Sequence, residues 1–325
     1  MRLGRRNDGA KMRIFFATDI HGSETCWRKF LNAAQHYKAA VLVLGGDMTG
    51  KALVPIIDDG GARWHATLLE NREELEGEDA VRAFEQAVIR RGYYPFRTTP
   101  EEVRELAADE PRWHALFEEH MLKTVERWMA LADERLHDKG IACFVCPGND
   151  DQLEVDDVIR QAKHVRLAEG EVVDVDGGFQ LASTGWANRT PWDTYREEDE
   201  PVLAQRIKRV TDQLTAPPEK QIFSLHCPPY GTGLDDAPEL TAEMDLRNAG
   251  HSTIPAGSTA VREAIEELQP ALSLHGHIHE ARGSTRLGRT LCINPGSSYE
   301  QGQLLGAVVD VDGKKKVKRF LLTSG

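Results

Sequence analysis

Seven side chains in this sequence are of types that bind divalent metal ions, and they share a setting. Each follows a short apolar run, with glycine or a small polar turn nearby. Asp19-x-His21 offers a carboxylate and an imidazole. Asp47 follows Gly45-Gly46, Asn149 follows Pro147-Gly148, His226 follows Ile222-Phe223-Ser224-Leu225, and His277-x-His279 follows Gly276. Carboxylate oxygen, amide oxygen and imidazole nitrogen are the donors that hard and borderline divalent ions take. The two glycines before Asp47 allow a sharp turn that leaves its carboxylate in the open, and one carboxylate can bridge two ions. Two ions about 3.5–4 Å apart polarise a phosphoryl oxygen and lower the pKa of a shared water towards ~7, so that hydroxide attacks phosphorus in line.

Positioning such a set requires strands. The runs Arg13–Thr18, Val41–Gly46, Ile141–Cys146, Gln221–Leu225 and Ala271–Gly276 are short, rich in branched apolar residues and bounded by turns. That is the pattern of buried strands in an α/β sheet. Helix-like stretches at Cys26–Tyr37 and Ser258–Leu268 alternate with them. In open α/β sheets ligands collect outside the carboxyl ends of the strands. Ionisable residues at so many strand ends are hard to explain as core chemistry, because burying them without partners is costly. Strand-like runs close the chain: Thr290–Ile293 leads into Asn294-Pro295-Gly296-Ser297, and a hairpin is expected across Asp312-Gly313.

Residues 51–139 break the pattern. They are rich in Glu, Arg, Ala and Trp, with helix signals at Asp79–Arg91, from Pro100, and over Pro111–Leu136. The expected organisation is a flexible N-terminal extension, 1–11, and a core, 12–325, interrupted by a helical cap, 51–139, beside the site.

The bulk numbers narrow the class. Hydrophobic residues make up 40% and charged residues 28%, as in globular proteins. A net charge of −12 disfavours binding to a polyanion such as DNA. No run approaches the ~20 apolar residues of a membrane helix, and no apolar signal core precedes the first strand. Five cysteines without disulfide-like spacing point to the cytoplasm. Cys143-x-x-Cys146 sits in a strand, where residues three apart face opposite ways, so it reads as two buried thiols.

In order and spacing, Asp19-x-His21, Gly45-Gly46-Asp47, Gly148-Asn149, His226 and Gly276-His277-x-His279 resemble the calcineurin-like metallophosphoesterases. Asn294-Pro295-Gly296-Ser297 is similar to the closing motif of their small bacterial and archaeal members. The resemblance covers most of the chain outside the insertion. It implies a four-layer αββα sandwich with a dimetal site at its edge. It implies that Asp19, His21 and His279 hold one metal, that Asn149, His226 and His277 hold the second, and that Asp47 bridges them. Mn²⁺ or Fe is usual in such sites, and Zn²⁺ also occurs.

One position departs from the pattern. The family's Gly-Asn-His-Asp/Glu run is Gly148-Asn149-Asp150-Asp151 here, so Asp150 replaces a histidine that helps protonate the leaving group. An ordinary aspartic acid, with a pKa near ~3.9, is a poor acid at neutral pH. Two nearby cations would lower it further unless burial or Asp151 raised it. The expectation is a hydrolase of small phosphorylated substrates that works through a metal-bridging hydroxide. Phosphodiesters or esters with good leaving groups are favoured, and Asp47, Asn149 and Asp150 stand nearest the chemistry. A nuclease or cyclic-nucleotide phosphodiesterase is one alternative, and a non-catalytic metal-binding scaffold another. Oligomeric state is not legible. His251 and His275 match no family role and read as structural, although Arg189 and His251 are also candidate phosphate contacts. No Walker-type loop anchors an ATPase reading.

Overall fold

The structure, a computed structural model, describes residues 11–241, 244–312 and 316–325. The expected N-terminal extension, apart from Lys11, and the expected turn at Gly313 lie outside the described residues.

The first sheet has six strands in the order Lys316–Ser324, Leu305–Asp312, Lys11–Ala17, Val41–Leu44, Ala142–Val145 and Arg166–Leu167. The last four are parallel to one another, and Leu305–Asp312 pairs antiparallel with both of its neighbours. The second sheet runs Gly283–Leu287, Thr290–Asn294, Leu272–Leu274, Gln221–Leu225, Phe179–Thr184 and Val172–Val175, with its four central strands parallel.

The side-chain period of two assigns each residue to a layer. Ile14, Phe16, Val41 and Val43 meet Leu181, Ile222, Leu272, Leu274 and Ile293 between the sheets. Phe15, Ala17, Leu42 and Leu44 face the other way, against Trp27, Phe30 and Leu31 of helix Glu24–His36 and Val125, Trp128 and Met129 of helix Glu110–Leu136. On the far side, Ala182, Phe223 and Leu225 pack against Leu203 and Ile207 of helix Glu200–Thr211 and Val261 and Ile265 of helix Thr259–Leu268. Strands buried on both faces are why the sequence shows unbroken apolar runs there. The layers are therefore helix, sheet, sheet, helix, as the resemblance implied. Cys143 faces the helices and Cys146 the second sheet, and all five cysteines are buried and free.

The segment 51–139 is not purely helical, which corrects the sequence-based expectation. It contains a four-stranded sheet, ordered Asn71–Glu76, Arg63–Leu68, Leu53–Gly60 and Tyr94–Thr98, beside helices Gly77–Arg90 and Pro100–Ala107. Val54, Ile56, Ala66, Val81, Phe84 and Val88 form its own small core. Helix Glu110–Leu136 belongs elsewhere. Its apolar stripe of Met121, Val125, Trp128, Met129, Ala132 and Leu136 lies in the main core, so it is part of an outer layer of the sandwich rather than a cap.

Candidate metal centre

The central strands of both sheets end at one edge of the sandwich. The loop after Lys11–Ala17 carries Asp19 and His21, and the loop after Val41–Leu44 carries Asp47. Ladder-like bonds continue between these loops beyond the strands: the Asp19, His21 and Gly22 amides donate to the Gly46, Asp47 and Met48 carbonyls at 2.9, 2.9 and 2.8 Å. Asp19, His21, Asp47 and His277 all adopt left-handed backbone, with φ of 52°, 36°, 48° and 67°. Non-glycine residues in that region cost of order 1 kcal/mol or more each, and such strain collects at functional sites. Two glycines supply the close approach. A Cβ on Gly46 would enter the His226 ring, and one on Gly148 would collide with the Asp47 carboxylate.

All seven expected donors converge. Asp19, His21 and His279 form one group, and Asp47, His226 and His277 another, each with its donor atoms within 4.8 Å of one another. Asn149 Oδ1 lies 3.1 Å from His226 Nε2 and 2.8 Å from His277 Nδ1. Asp47 faces both groups, with Oδ2 3.7 Å from His21 Nε2 and Oδ1 3.4 Å from His226 Nε2. His21 Nε2 and His279 Nε2 are 3.0 Å apart.

The tautomer of His226 is informative. Its Nδ1–H donates to the Gly45 carbonyl at 3.0 Å, which leaves Nε2 as a lone pair in the neutral ring. That lone pair faces Asn149 Oδ1, Asp47 Oδ1 and Asp19 Oδ1, all acceptors. Acceptors aimed at one another in a buried pocket are held together by a positive charge, a proton or a metal ion. In the cluster by itself a proton serves that part. Burial would lower the His226 pKa, but Asp47 and Asp19 outweigh burial and raise it to about 10. Burial also opposes the charge on Asp19, yet His279 and His226 hold its pKa down at about 2. Asp47 is likewise pulled well below the carboxylate range by His226, His21 and His277, against burial. His21 Nδ1 is buried and has no hydrogen-bond partner. The donor set fits divalent metal.

Three neighbours brace these donors. Asp151 is fully buried, and its oxygens accept from the Met48, Thr49 and Gly148 amides and the Thr49 hydroxyl, at 3.0, 2.8, 2.7 and 2.7 Å. It ties the Asp47 and Asn149 loops together and reaches none of the metal-donor groups. Ser297 Oγ donates to the Asp19 carbonyl at 2.6 Å, and Asn294 Nδ2 donates to the Gly276 and Ile278 carbonyls around His277. These contacts are what the Asn294–Ser297 motif does. Asn149 Nδ2 donates to Thr194 Oγ1 at 2.7 Å, and Thr194 donates in turn to Glu197. This support fixes which end of the Asn149 amide faces the cluster. Outer partners of metal ligands are commonly worth 10–100-fold, so Thr194→Val, which keeps the shape, is expected to lower metal affinity about tenfold. Metal titration followed by melting temperature checks this.

Asp150 sits at the mouth. Its amide donates to Asp47 Oδ1 at 3.0 Å, and its Oδ2 lies 3.7 Å from His21 Nδ1. Burial first, then Asp47, push its pKa up to about 6 despite the adjacent Lys51. Lys51 and Thr194 were not anticipated from the sequence. His275 donates from Nδ1 to the Leu225 and Cys227 carbonyls at 2.8 and 3.1 Å and is structural, with burial lowering its pKa to about 4. Arg189 is paired with Asp193 and Asp199 on the surface.

No family model matches the chain. It is 30% identical over 152 residues to the protein MJ1162 of Methanocaldococcus jannaschii, a match that covers 46% of this chain and 61% of that one. The chain thus spans less than two thirds of the length of this curated relative. Two solved structures resemble it over 97% of its length and 99% of theirs. One is TT1561 of Thermus thermophilus, with a TM-score of 0.52 at 14% identity, and the other has a TM-score of 0.54 at 15% identity. The chain has a layered α/β sandwich fold, shared over nearly its whole length with these two structures.

Proposed function

We propose that the protein hydrolyses phosphoester bonds with two divalent metal ions, favouring phosphodiesters or esters with good leaving groups. The observation that carries this reading is the convergence of seven donors from both sheets, with acceptors facing acceptors. Asp19, His21 and His279 would hold one ion, and Asn149, His226 and His277 the other. Asp47 would bridge them, a role supported by its two oxygens facing the two groups. Manganese or iron suits this mixed oxygen and nitrogen set, and zinc is also compatible. When bound, the ions supply Lewis acidity to a phosphoryl group and activate water.

The chain's own residues do the rest. Asn149 presents its carbonyl oxygen because Thr194 holds the amide nitrogen. Burial and Asp47 raise Asp150 to about 6, which makes it a better proton donor than an ordinary aspartic acid; the preference for good leaving groups rests instead on an aspartate standing where the family has a histidine. A small substrate fits the charge of −12 better than a polyanion does. No helix among the described residues is long and apolar enough to cross a membrane. Five free buried cysteines suit a reducing compartment, and we place the protein in the cytoplasm.

The test is hydrolysis of bis-p-nitrophenyl phosphate beside p-nitrophenyl phosphate, before and after chelation and after Mn²⁺ is restored. Turnover lost on chelation, regained with Mn²⁺ and faster on the diester is the expected result. A preference for the monoester sinks the diester reading. Tight metal binding with no turnover of any ester replaces the enzyme with a scaffold.

A further inference from the structure

A lysine stands at the mouth of the cluster, and none of the roles above uses it. Lys51 follows Asp47 by four residues, and its backbone is set from the insertion. The Gly50 amide donates to the buried Tyr94 hydroxyl at 2.6 Å, and Gly50 lies against the backbone of Gly92. The Lys51 ammonium is 3.1 Å from Asp150 Oδ2, and its side chain is 47% exposed, against 22% for Asp150 and 5% for Asp47. The ammonium is thus the most exposed of these three groups and stands beside the Asp150 carboxylate at the edge of the cluster. It has three N–H groups, and Asp150 does not occupy them all. Burial disfavours its charge, but Asp150, Asp47 and Asp19 outweigh burial and keep it protonated.

Asp150 both places this cation and cancels it. The pair offers hydrogen bonds to a phosphoryl oxygen while adding no net charge. The pair therefore rewards a phosphoryl oxygen with a hydrogen bond and not with net charge. A singly charged phosphodiester gains that hydrogen bond in full. A doubly charged monoester finds no unpaired cation at the mouth.

We propose that Lys51, positioned by Asp150, contacts the substrate phosphoryl group, and that the neutral pair selects phosphodiesters over phosphomonoesters. The proposal rests on the phosphoester reading above and adds the residue and the rule that set the substrate class. Asp150 is the positioning residue.

The experiment compares the Mn²⁺-loaded protein with Lys51→Met, Lys51→Arg and Asp150→Asn. It reads kcat/KM on both nitrophenyl esters, inorganic phosphate affinity by calorimetry, and metal content. Lys51→Met is expected to lose about 100-fold on the diester, on the scale of removing one preorganised donor, and to bind phosphate more weakly with metal content unchanged. Lys51→Arg is expected to recover most of the loss, because the charge and donors return. Asp150→Asn frees the cation and is expected to lower the diester-to-monoester ratio about tenfold. Diester turnover and phosphate affinity of Lys51→Met within twofold of the unaltered protein would overturn the contact. An unchanged ratio in Asp150→Asn would overturn the selection rule. If the unaltered protein turns over neither ester, the phosphoester reading falls on its own. Phosphate affinity in Lys51→Met then still decides the contact: a drop upholds it, and no change removes it.

Discussion

Asp47→Asn is expected to lower kcat/KM on bis-p-nitrophenyl phosphate by about 10³-fold, a cost on the scale of about 4 kcal/mol. The substitution keeps the shape and leaves one carbonyl oxygen to accept the Asp150 amide, so the local fold is retained. What it removes is the charge that faces His21 on one side and His226 on the other. Without that charge a cation on either side loses its shared counter-ion. Metal binding should weaken along with turnover. A ligand that binds the folded state stabilises it by about 2.7 kcal/mol at a hundred times its dissociation constant. The unaltered protein should therefore melt at higher temperature as Mn²⁺ is added, and Asp47→Asn should respond much less. Both readouts are needed. Lost turnover with an unchanged melting response would mean that Asp47 serves the reaction and not the metals. Unchanged turnover and metal content would remove it from the site altogether.

The donors could be read from the sequence because each sits just past an apolar run, at a place where the fold brings strand ends together. His226 follows Gln221–Leu225, and Asp47 follows Val41–Leu44 by three residues, so naming the strands located the candidate donors. Residues that act through loops left no such trace. Thr194 reaches Asn149 across 45 residues from a loop with no periodicity. Lys51 carries no motif and follows no strand, and its pairing with Asp150 is visible only in three dimensions.

The missed sheet of the insertion has a physical reason as well. Asn71–Glu76 reads NREELE, a run of helix formers, and nearly all of it is exposed, so no apolar alternation marks it as a strand. It is a strand because it pairs residue for residue with Arg63–Leu68. The turn between them uses Leu69 and Glu70 at φ of 51° and 66°, where hairpins usually show Asn-Gly or Gly. Both local signals were absent, and tertiary pairing decided. For Pro111–Leu136 the sequence showed a helix with an apolar stripe. It could not show whether that stripe covered the insertion or the main sheet.

Trp128→Ala decides that last point by stability. Trp128 is buried, stacks on Trp27 at 5.2 Å and 7° between rings, and accepts from the Trp27 indole at its carbonyl, 3.3 Å away. Its own indole N–H donates to Glu24 at 2.6 Å, in the first turn of the neighbouring helix. If helix Glu110–Leu136 is part of the sandwich, truncation leaves a large cavity in the main core and costs about 3–5 kcal/mol in urea unfolding. A movable cap would give a loss under about 1 kcal/mol, or a separate early transition. Acid adds a second signature through Glu24. Burial raises its pKa, but Trp128, Arg127 and Arg28 pull it below the ordinary value of 4.5. A carboxylate lowered in the folded state contributes stability that is complete above its unfolded pKa and lost as pH falls through the folded one. Trp128→Ala removes one of the groups that lower it, so the part of the stability lost as pH falls below about 4.5 should shrink. Trp128→Phe separates the two effects: it keeps most of the buried ring, should lose less stability, and should show the same reduced acid dependence. An acid dependence unchanged in both variants would mean that the Glu24 bond contributes nothing to holding the two helices together.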